Sequence, residues 1–193
     1  KGAARLVMSD PDTLTSFPGR MESVMNLSTY ALVTGWIDLG PTNEDGVTVR
    51  RAAEVSEGIP LDQRQTNLDE GEPESWSMEA ESTLIHTSLA NFQKAWEGGT
   101  LRAHAADGSY AAQHALDLDA PSTWTERMAV FIQEDPKSGK LRMFAFRKTV
   151  PQVDGEVTLK SKEATGLPLK LKLREDTSVS IGYGQFGKIF EED

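Results

Sequence analysis

The residues best equipped for chemistry are few, and their spacing does not assemble a reaction. Gly182-Tyr183-Gly184-Gln185-Phe186-Gly187 spells the G-x-G-x-x-G pattern of dinucleotide sites. That pattern works between a strand and a helix whose N-terminus meets the pyrophosphate, with an acid about 20 residues further on. Six residues follow Gly187 in this sequence, so neither the helix nor the acid is expected. His86, His104 and His114 lack metal-ligand spacing such as H-E-x-x-H, although His104 with Asp107, or Asp117-Leu118-Asp119, could offer donors. Glu79 and Glu81 fall on one strand face and could pair as acid and base. In a chain with 30 carboxylates such pairs arise by chance. There is no G-x-S-x-G elbow. The absence of cysteine excludes a disulfide scaffold, a thiolate zinc site and a cysteine nucleophile. The sequence therefore predicts a non-enzyme with no catalytic residues, no cofactor and no metal.

Composition narrows the remaining classes. The 193 residues are 38% hydrophobic and 26% charged, with a mean hydropathy of −0.43, the balance of a globular chain with a polar surface. No apolar run reaches the roughly 18–20 residues of a membrane-spanning helix, so no membrane partner is expected. The net charge is −10, which argues against a surface that grips phosphate backbones. The acidity is local: Asp38, Glu44, Asp45, Glu54, Glu57, Asp62, Asp69, Glu70, Glu72 and Glu74 face only Arg50, Arg51 and Arg64, so this segment carries seven of the ten excess charges. Such a run is either a solvated set of loops or a patch that faces a partner or a polyanion that must not stick.

The elements that would position these residues are mostly strands. Residues 1–27 show no period, with turn punctuation at Asp10-Pro11-Asp12 and Pro18-Gly19, and are expected to form an arm. Tyr30-Ala31-Leu32-Val33 and Val47-Thr48-Val49, the latter after a turn signal at Asp45-Gly46, predict short strands. Trp76, Met78 and Ala80 alternate with polar residues, the period of a strand with one buried face. Ile85, Leu89, Phe92 and Trp96 form one apolar stripe, predicting a helix over about 83–97 that ends at Gly98-Gly99. Runs at 127–132 and 141–146 read as a hairpin buried on both faces. Val157 and Leu159, then Leu169, Leu171 and Leu173, alternate with polar and charged residues in two further strands. The expectation is a mainly β domain over 28–175, a β-sandwich or part-open barrel with one flanking helix, between an N-terminal arm and a C-terminal tail at 176–193.

The order of these features resembles a known family. Gly35-Trp36-Ile37-Asp38-Leu39-Gly40, Thr42, and Asp45-Gly46-Val47 are similar to the segment that opens the domain of major tail proteins of long-tailed bacteriophages. Ala53-Glu54-Val55 through Leu61-Asp62-Gln63-Arg64 continues the likeness, as does Trp76 to Leu84 leading into a helix that ends near Ala95-Trp96-Glu97. Thr125 to Phe131, Lys140-Leu141-Arg142, Phe144 to Lys148, and Leu167-Pro168-Leu169 into Arg174 to Ser178 complete it, over about 35–178. The resemblance implies a structural virion protein whose subunits form rings, six or their equivalent per layer, stacked into a tail tube that conducts DNA into the host. It implies partners in the chain itself and in tape-measure, terminator and distal tail proteins, with DNA passing unbound. It also implies assembly in the host cytoplasm and a final place in the virion tail. Within that reading, Asp38, Glu44, Asp45, Glu54, Glu57, Asp62, Asp69 and Glu70 are candidates for inter-ring contact or lumen lining. Lys170, Lys172 and Arg174, on one wet strand face, are candidates for contact with a neighbouring subunit. A single-ring terminator and a non-enzymatic adaptor or binding module are the alternatives.

Overall fold

A computed structural model describes residues 4–14, 16–55, 73–85, 88–96, 98–109, 111–119, 124–153, 166–180 and 182–192. The strands are β1 (Arg5–Ser9), β2 (Trp36–Val55), β3 (Pro73–Leu84), β4 (Thr100–His104), β5 (Gln113–Asp117), β6 (Arg127–Glu134), β7 (Leu141–Val153), β8 (Leu167–Arg174) and β9 (Gly187–Glu191), with one helix, α1 (Leu89–Trp96), between β3 and β4. The fold is mainly β. Six strands close an antiparallel barrel in the order β6-β1-β2-β3-β8-β7, with β7 returning to β6.

Two cores hold it. Leu6, Met8, Leu39, Ala80, Leu84, Ala129, Phe131, Phe146, Leu167, Leu169, Leu171 and Leu173 form the first, where Phe131 meets Phe146 edge-on at 6.2 Å. Phe92 and Ala95 place α1 against this core. Alternate residues of the same strands, Val7, Val130, Ile132, Met143 and Ala145, point the other way into a second core. Its cover is the chain between Leu14 and Leu32, including a single 3-10 turn at Met21–Ser23. Burial on both faces accounts for the apolar runs Met128–Ile132 of β6 and Met143–Phe146 of β7, although Phe144 is only partly buried.

The ends differ from the sequence expectation. Residues 5–9 are not part of an arm: β1 lies between β2 and β6 and closes the barrel. Leu14, Phe17, Met21, Val24, Met25, Leu27 and Leu32 pack as the cover, and Tyr30 to Val33 form no strand beyond a bridge from Leu32 to Met25. The C-terminal stretch is not simply a tail, because β9 pairs with β7. The helix starts at Leu89, since Thr83 and Leu84 belong to β3, where Leu84 faces Thr42 and Leu167. Asp45-Gly46 does not end a strand. It sits in an irregularity of β2 between Thr42 and Val47, with Gly46 at φ +76°. The strand expected at Val157 and Leu159 lies outside the described residues. Strand β8 is as expected, with Leu169, Leu171 and Leu173 buried and Lys172 and Arg174 exposed.

One polar contact inside this frame gives a direct test. Ser9 is buried, and its Oγ accepts the Met128 amide at 2.9 Å. In Ser9→Ala that amide loses its partner, at a cost of about 1–3 kcal/mol. A thermal melt should fall by about 2–4 °C per kcal/mol for a chain of this size. An unchanged melt would show that the amide finds another acceptor.

Candidate interaction surface

Pairing leaves several stretches of backbone without a second strand neighbour among the described residues, both strands of the β4–β5 hairpin among them. β1 covers β2 only from Trp36 to Pro41, so Val47 to Val55 pair with β3 alone. β8 leaves β3 at Met78, so β3 from Pro73 to Ser77 and the facing part of β2 form a two-stranded ribbon beyond the barrel wall. β9 pairs only with β7. Unpaired edges carry rows of free N–H and C=O groups, which pair readily with another chain.

An apolar groove of about 400 Å³ runs beside β9, lined by Val49, Met78, Phe144, Phe146, Phe186 and Ile189. Val49 lies opposite Ala80, and Arg51 opposite Met78, so this stretch of β2 lies on the inner face of the barrel wall. The Arg51 guanidinium lies 3.8 Å from the Trp76 ring centroid. Ile189 is 65% exposed, Trp76 45% and Val49 40%, so large apolar groups reach solvent beside an open edge. Gly184 to Gly187 of the G-x-G-x-x-G match belong here, and these two glycines serve close packing. A Cβ on Gly187 would lie 2.1 Å from the Ala145 carbonyl oxygen, and Gly184 has φ +76°. The segment then leads into a strand rather than a helix.

On the outer face, Lys170 Nζ lies 2.8 Å from Glu79 and 3.5 Å from Glu81, and Arg50 reaches Glu81 at 3.5 Å. Glu79 and Glu81 are thus charge partners of a lysine across two strands. Arg174 pairs with Glu126 at 3.0 Å. Lys172 is exposed and has no ion pair among the described residues. Partly or fully exposed pairs of this kind contribute about 0–1 kcal/mol each.

The acidic candidates do not share one setting. Asp38 is tied to β1 by Arg5 at 2.8 Å, and its other carboxylate oxygen accepts the Gly40 amide. Glu44 and Asp45 are exposed at the β2 irregularity, where Asn43 donates to Asp45 at 2.6 Å. Glu54 lies on the ribbon in β2, opposite Ser75. Glu57, Asp62, Asp69 and Glu70 lie outside the described residues, as does His86. His104 and His114 are exposed on the β4–β5 hairpin, in neighbouring cross-strand pairs. No group of three or more metal-ligating side chains occurs among the described residues.

A further cluster fixes the return of the chain from β8 to β9. The Asp176 carboxylate lies 3.1 Å from Lys148 Nζ and 4.0 Å from Arg147 Nη1. It also accepts the Ser178 hydroxyl at 2.7 Å. The Ser178 hydrogen bond first, then Lys148, hold the Asp176 carboxyl below the usual carboxylate range, against the opposing effect of burial. A depressed value stabilises the fold above the ordinary carboxylate range, and that contribution is lost as pH falls through the depressed value.

Sequence reading missed both β9 and this cluster. Five residues, Gly187-Lys188-Ile189-Phe190-Glu191, are too short for a period, and Asp176, Arg147 and Phe17 meet only through the tertiary fold. The glycines just before the strand were the one local signal. In comparisons with known proteins, the chain matches no protein-family model and no curated protein.

Proposed function

We propose that this chain is a structural subunit that self-assembles into rings and stacked rings, the tail tube of a long-tailed bacteriophage. The carrying observation is that two unlike open edges, β2 from Val47 to Val55 and β9, have apolar side chains exposed beside them. Unlike edges meet head to tail, and a heterologous contact closes into a ring when its rotation allows. Sheets continued from subunit to subunit would leave no edge free. The resemblance implies a β-sandwich with a flanking helix, and a mainly β fold with one helix supports it at the level of fold class alone. A net charge of −10 suits a channel that DNA must traverse without being held. In this reading the acidic segment 38–74 faces the lumen or the next ring. Lys172 offers its charge to a neighbouring subunit, and tape-measure, terminator and distal tail proteins are the other partners. The protein would assemble in the host cytoplasm and end in the virion tail.

Negative-stain electron microscopy with light scattering over a concentration series tests this. Stacked rings with an open channel are the expected result. Single rings would point to a terminator instead. A monodisperse monomer at every concentration would overturn the assembly reading and favour an adaptor or binding module.

A further inference from the structure

The barrel closes without β9. Its six strands complete a ring of pairings, and β9 is added outside it, in line with β8 on the same edge of β7. β8 takes Lys148 to Val153 of that edge, and β9 takes Arg142 to Phe146. The chain leaves this line after Arg174 and returns to it at Gly187.

Two side chains meet the chain at this return. Arg147, only 15% exposed, donates Nε to the Gly184 carbonyl at 2.9 Å and lies 4.1 Å from the Phe17 ring centroid. Its amide donates to the Phe186 carbonyl at 3.0 Å. Asp176 faces Arg147 and Lys148 with its carboxylate, while its amide donates to the Gln185 carbonyl at 3.1 Å. Glu126 and Arg127, at the entry to β6, line the same cavity of about 500 Å³, and Ser178 completes the polar wall. One arginine thus fastens the N-terminal cover, through Phe17, and the C-terminal excursion, through Gly184, to a single strand.

β9 itself is lightly held. It has five residues, one strand neighbour and no fully buried side chain. The Arg142–Glu191 pair at its far end is solvent-exposed. Segments with few buried contacts and exposed hydrogen bonds open at low free energy. We infer that the Arg147–Asp176 clasp positions β9, and so determines whether the β9 edge is presented to a second copy of the chain. The second half of this inference rests on the assembly reading, whereas the first half concerns the monomer alone.

Hydrogen exchange on the dilute full chain at neutral pH separates the two. Asp176→Asn keeps the shape and removes the charge that Lys148 and Arg147 face. Arg147→Lys keeps the charge but loses the Nε hydrogen bond and the stacking on Phe17. In both variants, amides of residues 187–191 should exchange at least tenfold faster, while those of β1 and β6 keep their wild-type rates. Light scattering should then show assembly only at higher protein concentration. Unchanged exchange at 187–191 in both variants overturns the clasp. Faster exchange throughout the barrel overturns it as well, because the cluster would then support the whole fold. Faster exchange confined to β9 with wild-type assembly overturns the control of the edge. A wild type that never assembles removes the ring reading, and the exchange rates still decide the clasp.

Discussion

Removal of residues 1–9 will leave a chain without a cooperative thermal unfolding transition. β1 has a strand on each side, pairing with β2 from Trp36 to Pro41 and with β6 from Ala129 to Ile132. Without it the barrel opens along two edges. The loss extends to both cores, because Leu6 and Met8 enter the first and Val7 the second, each essentially fully buried. Burying one such side chain contributes about 1.5–3 kcal/mol, so the three together amount to a large share of the roughly 5–15 kcal/mol by which a domain is stable. Leu6→Ala is the milder form and should cost about 2–5 kcal/mol. Calorimetry distinguishes the outcomes. A sharp transition in the shortened chain would show that β2 and β6 can close the wall without β1.

The same strand shows where the sequence is legible and where it is not. Leu169, Leu171 and Leu173 alternate with Lys170, Lys172 and Arg174 because β8 has one dry face and one wet face, and that contrast is visible in the residues alone. Arg5-Leu6-Val7-Met8-Ser9 has no such contrast. Four of its five residues are buried, so both faces are apolar and the period vanishes. A short aperiodic run next to Asp10-Pro11-Asp12 then reads as an arm. The helix start fails for another reason. Ile85 extends the apolar stripe of α1 backward, but its neighbour Leu84 is held in the barrel by Leu167 across the strand pair. Tertiary pairing overrides a local helical pattern there. The open edges were out of reach altogether, because an edge is defined by which strands are not adjacent. The acidic run was legible as charge, but its first member, Asp38, is an ion-pair partner of β1.

Ile189→Lys will raise the concentration needed for assembly at least tenfold and leave the monomer intact. Ile189 is 65% exposed, so a lysine there meets water in the monomer, and surface substitutions of this kind change stability by about 0.5 kcal/mol or less. In a ring joined through β9 the same position would be covered by the neighbouring subunit. A lysine on an edge strand is a device by which proteins prevent strand-to-strand pairing, since its charge must stay hydrated. A tenfold change corresponds to about 1.4 kcal/mol per contact, a modest demand for burying a charged side chain in place of an apolar one. Ile189→Val keeps the apolar contact and should assemble like the wild type, which separates loss of burial from any change in strand pairing. Light scattering gives the threshold, and a thermal melt at low concentration checks the monomer. If both variants assemble at the wild-type threshold, β9 is not the edge that neighbours share. The contact would then have to use another open edge, such as Val47 to Val55 of β2 or the β4–β5 hairpin.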